Sequence, residues 1–494
     1  QRAYQRFPDY VALIDDRKAV TYRELYFRAI LLSQRFLALG VKPGDRVFIY
    51  AENSCEFFVA YFAILHVGAV LVPINIFLHV KELAFIVNDA QPHAIFVTSS
   101  LRGNIDALVE HNLVPALPHI LTENDIDWTM AVPRLVEERF PHFTIKESGP
   151  DELSVLLYTS GTTGVPKGVM LSSRIIIANL EQTATRFMLC GLAKKERVFC
   201  VLPLFHAFAQ HTCIWLPMVM GSAVIVIQKI ERKLILDGLK HKPTVFFGFP
   251  ALFGLLCIMK TAPLDTIKLF VSGADMLPDK IRIAFAMVYG RKICSGYGLT
   301  EAAPVVAVNH QNFDAATNVV GRPLLGINYK ICDERGNLVK DGQIGLLWIS
   351  GGNIMLGYYK AESATEQILR DGWLNTGDLA TIDSTGMLAI QGRVKDVIIH
   401  KGFNIYPAEV ENILLKYPSV IKAAVIGRDE PMAGQVPIAF VATRVPEEGL
   451  EDRLRELCAH NLAAYKIPRK FICLEDLPLN ATGKVDKKKL SHFQ

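Results

Sequence analysis

Tyr158-Thr159-Ser160-Gly161-Thr162-Thr163-Gly164-Val165-Pro166-Lys167-Gly168 is the stretch on which the reading of this chain turns. The apolar run before it, Leu153 to Leu157, has the pattern of a short buried strand. Then come hydroxyl side chains, glycines that let backbone N–H groups converge, and a lysine with a full positive charge. Such a loop suits a polyphosphate. It is not a Walker A loop, because Lys167 follows Pro166 and precedes Gly168 rather than Ser or Thr. As composition alone it is also an ordinary turn of the kind that joins a strand to a helix.

Around this loop, short apolar runs alternate with helical periodicity. Thr21 is placed to cap a helix from Tyr22 to Leu39 that stops at Gly40. Arg46 to Tyr50 reads as a strand, Glu56 to Val67 as a helix, and Val70 to Pro73 and Ile95 to Val97 as strands. Phe57 to Val80 is apolar enough to resemble a membrane span. His66, Gly68, Pro73 and Asn75 punctuate it, so a buried helix entering a core strand is expected. Beyond the loop, Val198 to Leu202, Val224 to Ile227, Thr244 to Pro250 and Leu269 to Ser272 continue the alternation, which predicts a parallel, helix-covered sheet. Ligands of such sheets gather at the C-terminal strand ends. There the chain places Phe205, His206 and Phe208, then Phe247 and Phe249, then Gly273, Ala274 and Asp275.

Three later strings carry chemistry. In Ser295-Gly296-Tyr297-Gly298-Leu299-Thr300-Glu301 a ring can stack on a purine, a hydroxyl can hold a phosphate oxygen and a carboxylate can hold Mg²⁺. In Gly372-Trp373-Leu374-Asn375-Thr376-Gly377-Asp378 a loop carboxylate can accept from both ribose hydroxyls. Leu477-Pro478-Leu479-Asn480-Ala481-Thr482-Gly483-Lys484 ends on a lysine that composition alone would leave as a solvated charge. Residues 318–360 carry turn signals of a small β-rich subdomain, and a boundary falls at Gly392-Arg393-Val394-Lys395-Asp396.

In this order, the strings resemble the signatures of the adenylate-forming (acyl-CoA synthetase, AMP-binding) superfamily over nearly the whole chain. The chain looks most like a medium- or long-chain fatty acid–CoA ligase. The resemblance implies an α/β fold with a large N-terminal adenylation domain, residues 1–393, and a small mobile α+β lid, residues 394–494. It implies that Thr159, Ser160, Gly161, Thr162, Thr163, Gly164 and Lys167 hold phosphates, with Thr159 and Glu301 on Mg²⁺. Gly273, Ala274, Asp275, Gly296, Tyr297 and Gly298 would border adenine, Thr300 the α-phosphate, Asp378 the ribose, and Arg393 ribose or phosphate. Phe205, His206, Phe208, Phe247 and Phe249 would meet the acid. Lys484 would be the adenylation lysine, Lys395 the hinge, and Gly402 the lining of the thiol path. Ser173, Gln343, Leu346 and the pair Ala274-Asp275 depart from the family's usual residues without touching Lys484, Glu301 or Asp378.

The implied reaction uses ATP, Mg²⁺ and coenzyme A to turn a fatty acid into its thioester through an acyl-adenylate. Phe205 to Phe208 and Ala251 to Met259 contain no acidic residue to pair an α-amino group, which speaks against an amino acid substrate. Acyl carrier protein presents the same thiol as coenzyme A, so an acyl-ACP synthetase is the nearest rival. A luciferase-like oxygenase and a non-catalytic nucleotide or lipid sensor are further alternatives.

The 494 residues are too many for one core, and a net charge of +4 without a basic arm does not indicate a nucleic-acid partner. Nine scattered cysteines without a Cys-x-x-Cys pair fit reduced thiols in a cytoplasmic protein. Peripheral membrane contact, oligomeric state and chain-length preference stay open.

Overall fold

The computed structural model describes residues 2–114, 119–140, 143–146, 149–159, 166–192, 195–310, 318–400, 403–430, 434–443, 445, 447–479 and 485–493. Among them the strands form four sheets. The first runs through Val11–Ile14, Ala223–Val226, Arg197–Cys200, Val245–Gly248, Leu269–Ser272 and Cys294–Gly298, all parallel. Antiparallel strands Ala19–Thr21 and Val305–Val308 close its edges. The second has a parallel heart of Leu153–Thr159, Val70–Pro73, Arg46–Tyr50, Ala94–Val97 and His119–Leu121. The expected helix-covered parallel architecture is therefore present, in two sheets.

Local chemistry explains the boundaries. Thr21 caps the helix Tyr22–Ala38 through a reciprocal box: its hydroxyl accepts from Glu24 N at 3.1 Å, and the Glu24 carboxylate accepts from Thr21 N at 2.7 Å. The apolar segment after it divides into the buried helix Cys55–His66 and the strand Val70–Pro73. No helix of the described residues is long and apolar enough to cross a membrane. All nine cysteines are free.

The alternative of an ordinary strand-to-helix turn does not hold at the described ends of the phosphate-loop stretch. Strand Leu153–Thr159 pairs antiparallel with Lys167–Ser172, with Thr159 opposite Lys167, and the helix Ser173–Leu189 begins only after the second strand. Residues 160–165 lie outside the described residues.

The β-rich part also extends past residue 360. Val319–Gly321, Leu388–Arg393, Trp373–Ile382, Gly345–Gly351 and Ile327–Cys332 make an antiparallel sheet. Strand Gly357–Tyr358 leaves it and pairs with Lys167–Ser172 in the second sheet. After the short turn Val394–Asp396 the chain enters the last sheet, built on the long hairpin Val420–Glu430 and Gly434–Thr443 and covered by helices Pro407–Leu414 and Leu450–Asn461.

The main core fills the space between the two large sheets. It holds a buried polar chain in which Trp215 Nε1 donates to the Tyr61 hydroxyl at 2.7 Å and that hydroxyl donates to Gln210 Oε1 at 3.1 Å.

Candidate active site

The C-terminal ends of the first sheet meet the antiparallel sheet, and there the functional side chains converge. Tyr297 stands on the strand Cys294–Gly298, Asp378 on Trp373–Ile382, and Arg393 at the end of Leu388–Arg393, in register opposite Asp378. The Tyr297 hydroxyl donates to Asp378 Oδ2 at 2.5 Å, and Arg393 Nε lies 3.0 Å from Asp378 Oδ1. Asp378 is only 4 % exposed. Thr376 orients it, because its hydroxyl accepts from Asp378 N at 3.1 Å while donating to the Leu347 carbonyl at 2.8 Å. Burial raises the Tyr297 pKa, and the Asp378 charge raises it further. Asp378 in turn raises the pKa of the Arg393 guanidinium.

A second group forms beside it. Glu301 lies in the single turn Thr300–Ala302, and its Oε1 accepts from the Tyr358 hydroxyl at 2.8 Å. The Lys167 ammonium sits 5.0 Å from the centre of the Tyr358 ring. Burial, then the Glu301 charge, raises the Tyr358 pKa and keeps its hydroxyl a donor. The turn holding Glu301 is fixed from below. The buried Asn353 amide donates to the Ala302 carbonyl at 2.8 Å, and Asn179 both donates to Val305 O at 2.8 Å and accepts from Val305 N at 3.0 Å.

Tyr358, which sequence reasoning did not single out, touches two of the candidate site residues. The backbone before it is constrained: Gly357 has φ +141°, and a Cβ there would lie 2.9 Å from Thr365 Cγ2, so the residue before Tyr358 has to be glycine.

Among the residues expected to meet the acid, Phe205 and His206 precede the first turn of a helical stretch. That turn carries Phe208, whose ring packs on Gly273; a Cβ at Gly273 would meet it at 3.0 Å. Phe208 meets Phe247 edge-to-face at 6.3 Å, and Phe205 meets the exposed Phe77 at 6.1 Å. Phe247 is 1 % exposed and belongs to the core, whereas Phe249 is half-buried. Next to Gly273, Ala274 takes φ +68° and Asp275 is exposed, its carboxylate accepting from Met276 N at 2.8 Å. Gly296 and Gly298 flank Tyr297 on the same strand.

The residues after 394 dock on this edge. Lys280, from the helix Asp279–Tyr289, donates to the carbonyls of Pro418 at 2.7 Å, Val420 at 3.0 Å and Tyr417 at 3.4 Å. Lys395 is exposed, yet partial desolvation lowers its pKa; Asp396 opposes this, while Arg393 and Lys488 add to it. Lys487 pairs with Glu411 at 2.7 Å. Burial alone would lower the Lys487 pKa, but Glu411, Asp396 and Asp275 together raise it. Thr159 donates to the Lys167 carbonyl at 3.5 Å. Ser160, Gly161, Thr162, Thr163, Gly164, Gly402 and Lys484 lie outside the described residues. Among the described residues no cluster of three or more His, Cys, Asp or Glu is arranged to hold a metal by itself.

Residues 1–359 match the family model described as AMP-binding enzyme, and residues 409–484 match that of the AMP-binding enzyme C-terminal domain. The chain is 30% identical to a long-chain-fatty-acid–CoA ligase of Salmonella typhimurium, over 99% of this chain and 93% of that one. An anthranilate CoA ligase in complex with anthranoyl-AMP superposes with a TM-score of 0.91 at 25% identity, over 99% of this chain and 95% of that one. The o-succinylbenzoate CoA synthetase of Bacillus subtilis, in complex with ATP and magnesium ion, superposes with a TM-score of 0.86 at 27% identity, over 99% and 98% of the two chains. The chain belongs to the AMP-binding enzyme family, and it is an ATP-dependent acid–thiol ligase.

Proposed function

We propose that the protein is a fatty acid–CoA ligase acting on medium or long chains. The observation that carries the choice of acid is the character of the residues expected around it: Phe205, Phe208 and Phe249 are aromatic, and neither they nor the helix Pro250–Met259 offer a carboxylate to an ammonium group. The name of the Salmonella relative supports this reading, while the anthranilate ligase marks an aromatic acid as the competing substrate class.

In the first step an acid carboxylate oxygen bonds to the α-phosphorus of ATP and the bond to pyrophosphate breaks. Two anions must approach, so the chain's task is to supply positive charge and fixed donors. Lys167 and the hydroxyl-rich loop before it bind the phosphates, Thr300 holds the α-phosphate, and Lys484 brings a further charge from the lid. Asp378 reads the ribose hydroxyls, Arg393 takes a ribose or phosphate oxygen, and Tyr297 borders adenine with residues 273–275. Glu301 fits Mg²⁺: among the described residues its Oε1 accepts from Tyr358, a carboxylate has further acceptor sites, and it would add to the Thr159 hydroxyl the oxygen donors this cation prefers. When bound, Mg²⁺ neutralises phosphate charge.

In the second step the thiol sulfur attacks the acyl carbonyl carbon, the carbon–oxygen bond to AMP breaks and the thiol proton goes to water. Residues 1–393 are the adenylation domain and 394–494 the lid. Lys395 is the hinge, Gly402 lines the thiol path, and His206 stands where acid and thiol meet. The free cysteines suit a cytoplasmic enzyme.

Pyrophosphate release from ATP and Mg²⁺, measured over a series of fatty acids with and without coenzyme A, tests this. Release with a fatty acid that is lost in Lys484→Ala and accelerated by coenzyme A supports the assignment. Release that ignores coenzyme A and responds to acyl carrier protein moves the acceptor to that protein. Release only with aromatic acids removes the fatty acid reading.

A further inference from the structure

Phe205 and His206 stand on a segment that has left the first sheet, and part of what holds that segment comes from the second. Strand Arg197–Cys200 ends before Leu202 and Leu204, and strand Ala223–Val226 ends before Ile227. Asn53 bonds all three residues. Its Nδ2 donates to the Leu202 carbonyl at 2.9 Å and to the Ile227 carbonyl at 3.1 Å, and its Oδ1 accepts from Leu204 N at 2.9 Å. One amide side chain thus continues the pairing past the ends of two neighbouring strands. Asparagine suits this place, because it offers two donors and an acceptor on a short stem, whereas an aspartate has no donor and a serine has one. Asn53 is 8 % exposed, so the groups it satisfies would find little water in its absence.

Asn53 is itself fixed by its place in the chain. It follows the strand Arg46–Tyr50, and the next residue, Ser54, caps the helix Cys55–His66 by accepting from Phe57 N at 3.2 Å. The same helix carries Tyr61, whose hydroxyl accepts from Trp215 and donates to Gln210. Both of those residues lie beyond His206, in the stretch Gln210–Trp215. That stretch is π-helical, a geometry that recurs at functional sites. Gln210 N donates to the His206 carbonyl at 3.0 Å, and His206 N donates to the Pro203 carbonyl at 3.0 Å. The helix Cys55–His66 and the residue two before it therefore grip the chain on both sides of His206.

We propose that Asn53 and Tyr61 are positioning residues for His206, an inference that rests on the role given to His206 above. Asn53 holds the backbone before the histidine and Tyr61 the backbone after it, so together they set the angle at which its ring meets the acid. Neither touches Tyr297, Glu301 or Asp378 through the hydrogen bonds described above, so the nucleotide side of the site does not depend on them.

The test measures pyrophosphate release with the acid that the wild type uses best, whatever its class. It compares Asn53→Ser, Tyr61→Phe, His206→Ala and the two double variants with His206→Ala, each checked for folding by a thermal melt. Asn53→Ser should lower kcat/KM for the acid by about tenfold or more, since a misplacement of about 1 Å near the chemistry costs about a hundredfold, with KM for ATP unchanged. Tyr61→Phe removes only a hydroxyl and should lower it by about threefold; it makes the same comparison where Asn53→Ser does not fold. In the His206→Ala background neither change should cost more, because the group they aim is gone. A folded variant with wild-type kcat/KM, an equal rise in KM for ATP, or the same fold-loss on top of His206→Ala overturns the inference and leaves both residues as parts of the core. His206→Ala with wild-type activity overturns the role given to His206 as well. A best acid that is aromatic removes the fatty acid reading yet leaves this comparison intact, so the two failures are told apart.

Discussion

Tyr358 links the cation of the phosphate loop to the carboxylate proposed for the metal, one through its ring and the other through its hydroxyl. Tyr358→Phe keeps the ring under Lys167 but removes the donor to Glu301. Pyrophosphate release should fall about tenfold, since a hydrogen bond to a charged group is worth about 1.5–3 kcal/mol, with the melting temperature little changed. An equal loss in thermal stability would mean the bond is structural.

A second residue predicts a pH dependence. His211 is fully buried, its Nε2 lies 3.0 Å from the Thr183 hydroxyl, and burial lowers its pKa to about 3. Between that value and the unfolded pKa of about 6.5 the unfolded chain takes up a proton that the folded one refuses. Stability is therefore intact above about pH 6.5 and falls by up to about 1.4 kcal/mol per pH unit below it. Urea titrations of the wild type and His211→Gln at neutral and acid pH should show the variant losing less stability on acidification. Both residues were invisible or ambiguous in the sequence for the same reason: their roles come from partners 57 and 28 positions away. Tyr297, Glu301 and Asp378 were legible because each sits in an ordered string with its own turn residues.

At the level of elements, the turn Thr300–Ala302 places Thr300 and Glu301, and Gly298 decides whether it can form. A Cβ at Gly298 would lie 2.1 Å from the Pro304 carbonyl oxygen, the same oxygen that accepts from Leu299 N at 3.0 Å. Gly298→Ala should therefore destabilise the protein by about 2 kcal/mol or more and lower the adenylation rate further than the folded fraction explains. Thermal melts and pyrophosphate release on the same sample check both parts. The central parallel strands of the two large sheets could be placed from their apolar runs to within about two residues, because a strand buried on both faces has no polar positions to confuse the pattern. The element after the phosphate loop could not. Lys167-Gly168-Val169-Met170-Leu171 is short, starts on a charge, and becomes a strand only through pairing on both sides with Leu153–Thr159 and Gly357–Tyr358.

Across the whole molecule, three of the hydrogen bonds that join the described residues after 394 to the body come from Lys280, whose ammonium donates to three carbonyls just after the helix Pro407–Leu414. Asn412, on that helix, adds a contact from its side-chain amide to the Met276 sulfur at 3.7 Å. Lys280→Met retains the methylene stem but leaves those carbonyls without their donor. Limited proteolysis should then cut near residues 394–402 several-fold faster, for a loss of about 1–2 kcal/mol in docking. An unchanged cleavage rate would show that other contacts hold the lid. Neither Lys280 nor its partners stood out in the sequence, since a lysine bonded to backbone carbonyls leaves no pattern of residue types.

Asp378 accepts from Tyr297 and Arg393, and Arg393 is the last residue before the turn into the final sheet. On the proposed roles, a nucleotide sugar and the pivot of the lid would draw on one carboxylate. Whatever strengthened one claim on it would weaken the other, and sugar occupancy and lid angle would then be thermodynamically linked through a single side chain. A substitution at Asp378 would then report on both at once, and a change in apparent nucleotide affinity there measures the motion as much as the grip.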